Sequence, residues 1–381
     1  LQFENSLAGV ASPPTLNPPT GAGNFIYSVT FQADNPTDAL EVKFTFQKTG
    51  TAGTLCVVGV QAAAIEKYVP PFVTWTGATD NNWDTLTANW SSGTYTDGAT
   101  GVLFDDTDSL FNVNVSASVS PLSIFVTNDM NDYVISGSPI AGSGLLTKTG
   151  SSALTLAGAN TFSGGVELKA GTLRLGASES IPDGAGNGGL TMSTNSTLDL
   201  NGYSETLNSL SGGGTIDNVA GGGSSVLTVG SNTVSSSSFS GVIQNSSGTV
   251  SLVKIGTNSL TLSGTNSTFS GGVTLNAGRL NINGAGALGT GPLTIAGTDV
   301  QLGNTSGGAV TLTTTNNQNW NADFTFAGNN NLNMGPGPVT MNAGRTVTVS
   351  ANTLTVGGPI AGSGFGLIKN GTGTLVINSS N

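Results

Sequence analysis

Histidine is absent from the 381 residues, and cysteine occurs once, at Cys56. Without imidazole, no Ser-His-Asp or Cys-His nucleophile can be activated and no His-based metal site can form. A lone thiol excludes an intramolecular disulfide, and in the run TLCVVGV Cys56 reads as a small buried hydrophobe. Charge is scarce as well, at 8% of residues, far below the usual quarter. No apolar run approaches the roughly 18 residues that a membrane-spanning helix needs. Disorder is excluded too, because Val, Leu, Ile and Thr alternate through most of the chain. Bases are the scarcer sign, 10 against 21 acids. Residues 1–138 carry 13 acids against Lys43, Lys48 and Lys67, and the remainder is nearly balanced, with 8 acids and 7 bases. With no basic patch to neutralise phosphates, nucleic acid is excluded as a partner and anionic membranes are disfavoured. Leu1-Gln2-Phe3-Glu4 has neither the charged nor the apolar region of a signal peptide, so the numbering starts at a processed terminus or inside a longer chain.

What is abundant is glycine, 57 residues, and it falls in a repeat. The first copy runs from Ile140 to Gly176, IAGSGLLTKTGSSALTLAGANTFSGGVELKAGTLRLG, and the second from Ile243 to Gly284, IQNSSGTVSLVKIGTNSLTLSGTNSTFSGGVTLNAGRLNING. A third begins PIAGSG at Pro359, the counterpart of Pro139, and stops at Asn381. Lys148 matches Lys254 at 106 residues, Thr161 to Gly165 match Thr268 to Gly272 at 107, and Lys254 matches Lys369 at 115. One inserted residue, placed after Asn266, accounts for the first difference. A unit of alternating apolar and small polar residues cannot bury its own hydrophobic face, so it must stack on copies of itself. The expected fold is all-β, a β-solenoid. Coils of roughly 20 to 25 residues give about ten to twelve rungs and a rod on the order of 50 Å. Leu154, Leu156, Leu173 and Leu175 point into the coil, Gly and Asn take the corners, and Asn160 and Asn266 are candidates for amide ladders.

Two zones precede the repeats. Residues 1–69 hold strand candidates at Phe25 to Ala33, Leu40 to Gln47 and Thr54 to Ile65, behind a Pro-rich stretch, and read as a small β-sandwich-like domain. Residues 70–138 read as a Trp-rich linker and solenoid cap, with 139–381 as the solenoid itself. Trp75, Trp83 and Trp90 form either a carbohydrate-stacking platform or, as the favoured reading, a plug closing the first turn.

The residues Gly142, Gly144, Lys148, Gly150, Leu154, Leu156, Gly158, Asn160, Thr161, Gly164, Gly165, Gly171 and Leu173 resemble the pattern of the autotransporter-associated β-strand repeats, also called passenger-associated transport repeats. Lys254, Gly256, Leu260, Leu262, Gly264, Asn266, Gly271, Gly272, Gly278 and Leu280 repeat the match. The Trp-rich lead-in resembles segments found before such repeats in large exported proteins of Verrucomicrobia and Planctomycetes. The resemblance implies a right-handed parallel β-helix displayed outside the cell, adhesive or structural.

Other chemistry is thin. Gly137-Ser138-Pro139 has no histidine to make it a protease. The solenoid acids Glu167, Glu179, Asp183, Asp199, Glu205, Asp217, Asp299 and Asp323 are scattered, so a β-helix polysaccharide enzyme needs two of them to meet across rungs. Asp105, Asp106 and Asp108, with Asp129 and Asp132, are hard oxygen donors at calcium-like spacing, or a solvated turn. GGGT at Gly212 and GGGS at Gly221 lack the lysine and helix of a phosphate loop. Lys148, Lys254 and Lys369 read as a solvated or corner position. No cofactor is expected, calcium aside. The expected function is a non-enzymatic extracellular β-solenoid whose unfinished third copy docks head-to-tail on another molecule, with a glycan-binding adhesin as the alternative.

Overall fold

In the computed structural model the chain divides into two compact units, Leu1–Val69 and Pro70–Asn381. The structure describes residues 2–4, 43–45, 72–219, 222–231 and 236–378. In the first unit the described strands Gln2–Glu4 and Lys43–Thr45 pair antiparallel. The second of these lies inside the expected strand Leu40 to Gln47. The other expectations for residues 1–69, the sandwich and Cys56 included, lie outside the described residues.

The second unit is a parallel β-solenoid with no helix among its described residues. One sheet of fourteen strands runs through it, from Phe72–Thr74 to Leu367–Asn370. Eleven of those strands follow Pro139; the other three are Phe72–Thr74, Gly101–Phe104 and Ser123–Val126. Among the described residues, 72–138 therefore form the first rungs of the solenoid. Fourteen rungs at about 4.8 Å make this unit roughly 60 Å long.

The core follows from period-2 alternation closed on itself. In Ser224–Val229 and Thr249–Lys254 every second residue is buried. Along the long sheet the inward column stacks Val102, Ile124, Leu146, Val166, Leu190 and Leu210, each the register partner of the next. Each is at most 1% exposed. Burying such a side chain stabilises the fold by about 1.5–3 kcal/mol, so stacking supplies what no single rung can. The column continues through Leu260, Leu280, Leu302, Phe326 and Val349. Ser237 interrupts it, and its hydroxyl accepts the Leu210 amide at 3.0 Å.

Three further sheets complete the coil. An eight-stranded sheet runs from Asn82–Trp83 to Val242–Ile243, a second from Glu205–Leu207 to Ile360–Ala361, and a four-stranded sheet from Val310–Thr311 to Thr374–Ile377. The cross-section thus gains a third strand at Glu205–Leu207, and the repeat shifts face. In the first copy the lysine strand Leu145–Lys148 lies in the long sheet, whereas in the second the strand Thr249–Lys254 lies in the second eight-stranded sheet. Five coils of the long sheet take 114 residues, from Leu146 to Leu260, but the copies are 106 residues apart. The second copy arrives eight residues early, one strand and its turn. Five coils of its own sheet take 108 residues, from Leu252 to Ile360, and the next copy comes after 115. That lag returns the lysine strand to the long sheet, at Leu367–Asn370.

Candidate functional site

The repeat signature is a corner built around a lysine. Lys148 ends its strand between Val126 on one rung and Leu168 on the next, and Lys254 sits likewise between Val229 and Leu275. Both lysines are buried, so of the expected solvated or corner position they take the corner. The Lys148 ammonium donates to the carbonyls of Thr149 and Gly150, the latter at 2.8 Å. Lys254 donates to Ile255, to Gly256 at 2.8 Å and to Ala277 at 3.3 Å. The apolar stem fills the coil and the charged tip caps turn carbonyls that would otherwise point into the interior unpaired. Burial lowers each lysine to about 8, against the weaker pull of Asp129, Asp106 and Asp132 on Lys148. Lys369 keeps the geometry, on Val347, and donates to Gly371 at 2.6 Å, but is exposed.

The glycine two residues on is dictated by the same corner. Gly150, Gly256 and Gly371 have φ of 76°, 67° and 82°, the left-handed region. A Cβ at Gly150 would lie 2.2 Å from the Asn128 carbonyl oxygen. In the Gly164-Gly165 and Gly271-Gly272 doublets each glycine is required for a different reason. Gly165 and Gly272 are left-handed, while Gly164 and Gly271 have backbone or Ser251 within 2.5 Å of a would-be Cβ.

Asn160 ties three rungs together. Its Oδ1 accepts the Ile140 amide at 3.0 Å and its Nδ2 donates to the carbonyls of Gly158 and Ser180. Asn266 does not do this. It is exposed, and Ser267 takes the position, accepting the Ile243 amide at 3.2 Å. The extra residue therefore precedes Ser267, and the expected matching of Asn160 with Asn266, with its amide ladder, gives way to Asn160 with Ser267. Phe162 and Phe269, one in each copy, are fully buried beside these residues; aromatic placement in the TFSGG segment was the available signal.

At the first rungs Trp75, Trp83 and Trp90 are buried, at most 3% exposed. They pack edge-to-face with one another at 5.2 and 5.5 Å and against Phe104 and Tyr95. No indole face is free to stack on a sugar, so the stacking-platform reading does not hold for these residues. The Trp75 Nε1 donates to the Leu110 carbonyl at 2.9 Å, while Trp83 Nε1 and Trp90 Nε1 face no protein acceptor.

The acids are spoken for by turns. Asp106 accepts the amides of Asp129, Met130 and Asn131; burial opposes its charge, and those bonds outweigh it and hold its carboxyl low. Asp105 accepts from Thr107. Asp108 accepts the Tyr133 hydroxyl at 3.3 Å and burial pushes it up to about 6. Of the two readings for this segment, calcium donors or a solvated turn, these hydrogen bonds are those of turns, and among the described residues no three His, Cys, Asp or Glu groups converge. Two solenoid acids do meet across rungs: Asp199 and Asp217 are register partners. Asp199 is ion-paired with Arg174 at 2.9 Å. Asp217 accepts from Gln244, Ser246 and Asn218, which overcome its burial and keep it ionised. Asp217 is therefore not a proton donor near neutrality. Glu205 is one, lifted to about 8 by burial, but it is sealed inside, accepting the amides of Ser180 and Ile181.

A corner of lysine and left-handed glycine, repeated along stacked parallel rungs, defines a class of β-solenoid repeat. Residues 146–175, 252–282 and 367–381 match the passenger-associated-transport-repeat family, and the chain carries those repeats. It is 34% identical over 240 residues to the adhesin BmaC autotransporter of Brucella suis biovar 1 (strain 1330), a stretch that is 62% of this chain and 6% of that protein. The chain thus spans a small part of the length of this relative. No solved structure matches it.

Proposed function

We propose that the chain is a non-catalytic segment of a surface adhesin-like passenger, a stiff extracellular rod that displays hydroxyl and amide side chains. The observation that carries this reading is the unbroken fourteen-stranded sheet. Its inward column is apolar save for Ser237, and an outward column in the same register runs Glu167, Thr191, Ser211, Ser238 and Thr261. Supporting it are the passenger repeats and the likeness to a protein named as an adhesin. The experiment is display of the chain on a non-adherent bacterium, with attachment to surfaces and cultured cells scored against the empty display system. Attachment supports the reading. Absence of attachment, or turnover of a polysaccharide by the purified chain, contradicts it.

A further inference from the structure

The first two rungs of the amino-half eight-stranded sheet enclose a cleft that none of the features above uses. Its volume is about 450 Å³, and Asp80, Asn81, Ser109, Leu110, Phe111 and Asn112 line it. Two loops form its walls, one entering the strand Asn82–Trp83 and the other the strand Asn112–Val115, and the strands pair Asn82 with Asn114. We infer that this cleft is a binding site for a neutral saccharide, an inference that rests on the adhesin reading above.

The walls are held before any ligand arrives. Asp80 accepts the Asn82 amide at 2.8 Å, the Asn82 side chain at 2.9 Å and the side chain of buried Asn89 at 2.7 Å. Those hydrogen bonds keep the carboxylate ionised, an acceptor for sugar hydroxyls. On the opposite wall the Leu110 carbonyl is pinned from inside by Trp75. Gly77, at φ 51°, lets the first loop pass Leu110 where a Cβ would come within 2.9 Å. Phe111 is half-buried and fixed by an edge-to-face contact with Tyr133 at 5.2 Å and 87°. The lining thus combines one aromatic and one leucine side chain with a carboxylate, two amides and a hydroxyl.

That combination selects its ligand class. A pyranose offers an apolar C–H face to an aromatic ring and hydroxyl pairs to carboxylate and amide groups, and the volume falls in the usual range of small-molecule sites. Charge excludes the acidic alternatives. From Phe72 to Thr147 there is no lysine or arginine, against eight aspartates, so sialic acid, uronic acid and phosphate are repelled. The burial of Trp75, Trp83 and Trp90 moves the sugar-binding role from the indoles to the cleft they support.

The test uses the full chain on a printed array of neutral, sialylated and uronic-acid glycans, followed by calorimetric titration with the best neutral oligosaccharide. Ser109→Trp fills the cleft from an exposed position, and Phe111→Ala removes its aromatic lining. Each should weaken binding about tenfold or more, with the thermal midpoint of Ser109→Trp unchanged. Failure of the wild type to bind any neutral glycan, binding to acidic glycans only, or full affinity in folded Ser109→Trp would overturn the assignment. Attachment of the displayed chain is scored separately. A rod that attaches but binds no neutral glycan refutes the cleft alone, and one that binds the sugar but does not attach refutes the adhesin reading alone.

Discussion

The ammonium of Lys148 and the carbonyl of Gly150 meet at 2.8 Å inside the coil, and Lys254 and Gly256 repeat the pair at the same distance on another face. Two copies of one corner, presented in two directions, show that the corner is a local device and does not depend on which sheet it serves. Removing the lysine side chain loses its packed stem and leaves turn carbonyls unpaired. Lys148→Ala should therefore cost about 2–4 kcal/mol, and Lys148→Met, which keeps the stem, less. Lys369→Ala, at an exposed position, should stay within about 0.5 kcal/mol. Urea midpoints of the three variants check the order.

Left-handed glycines differ in what surrounds them. Gly150→Ala brings both an unfavourable φ and a Cβ 2.2 Å from Asn128 oxygen, whereas Gly364, at φ 79°, has open space around it. Gly364→Ala should cost about 1 kcal/mol, the backbone penalty alone. Gly150→Ala should cost well more than that, because the clash is with backbone that cannot swing aside. Thermal melts of the two variants separate the contributions.

Asn160 and Asn266 look alike in sequence and differ in the fold. Asn160→Ala leaves the Ile140 amide and the Ser180 carbonyl without a partner, a loss of about 1–3 kcal/mol. Asn266→Ala should fall within about 0.5 kcal/mol, and Ser267→Ala should cost more than Asn266→Ala. Denaturant midpoints that rank Asn266 above Ser267 would reverse the assignment of the inserted residue.

Glu205 gives the solenoid a pH dependence. Its folded value, about 8, lies above the ordinary carboxyl value of 4.5, so the folded state holds a proton that the unfolded state releases. Its contribution is full below pH 4.5 and is lost as pH rises towards 8. Lys148 and Lys254, lowered to about 8 from 10.5, act in the opposite sense at higher pH, with stability gained from about 8 to 10.5 and absent below. Glu205→Gln should flatten the fall between pH 5 and 8 and leave the alkaline rise in place. Melting temperature measured against pH on both proteins reads this directly.

The rungs were legible in the sequence because period-2 alternation between Leu and Thr, broken by Gly and Asn, has one use when repeated. The strand boundaries around Leu154, Leu156, Leu173 and Leu175 follow from it. The buried lysines were not, since charge suggests water and only the coil reveals that an ammonium can reach carbonyls of its own turn. Nor was the shift of face between copies, which depends on coil lengths of 20, 24, 20, 27 and 23 residues from Leu146 to Leu260. Those lengths are set by turns such as the one after Gly212, and apolar spacing within a strand does not report them. The cap tryptophans were visible as a group, but whether their faces look in or out is decided by the loop around Asn89, whose side chain holds Thr79 and Asp80.

Adjacent-rung register in the parallel solenoid is the claim on which the rest depends. A disulfide reads it directly, because Thr274 and Thr294 are register partners on neighbouring rungs and both point outward. Parallel partners about 4.8 Å apart lie within disulfide reach. In a Cys56→Ser background, Thr274→Cys with Thr294→Cys should oxidise to completion in the folded protein, read as loss of free thiol with the melting temperature unchanged or raised. Thiols that stay reduced in the folded chain, or that close only after unfolding, would contradict the stacked-rung account.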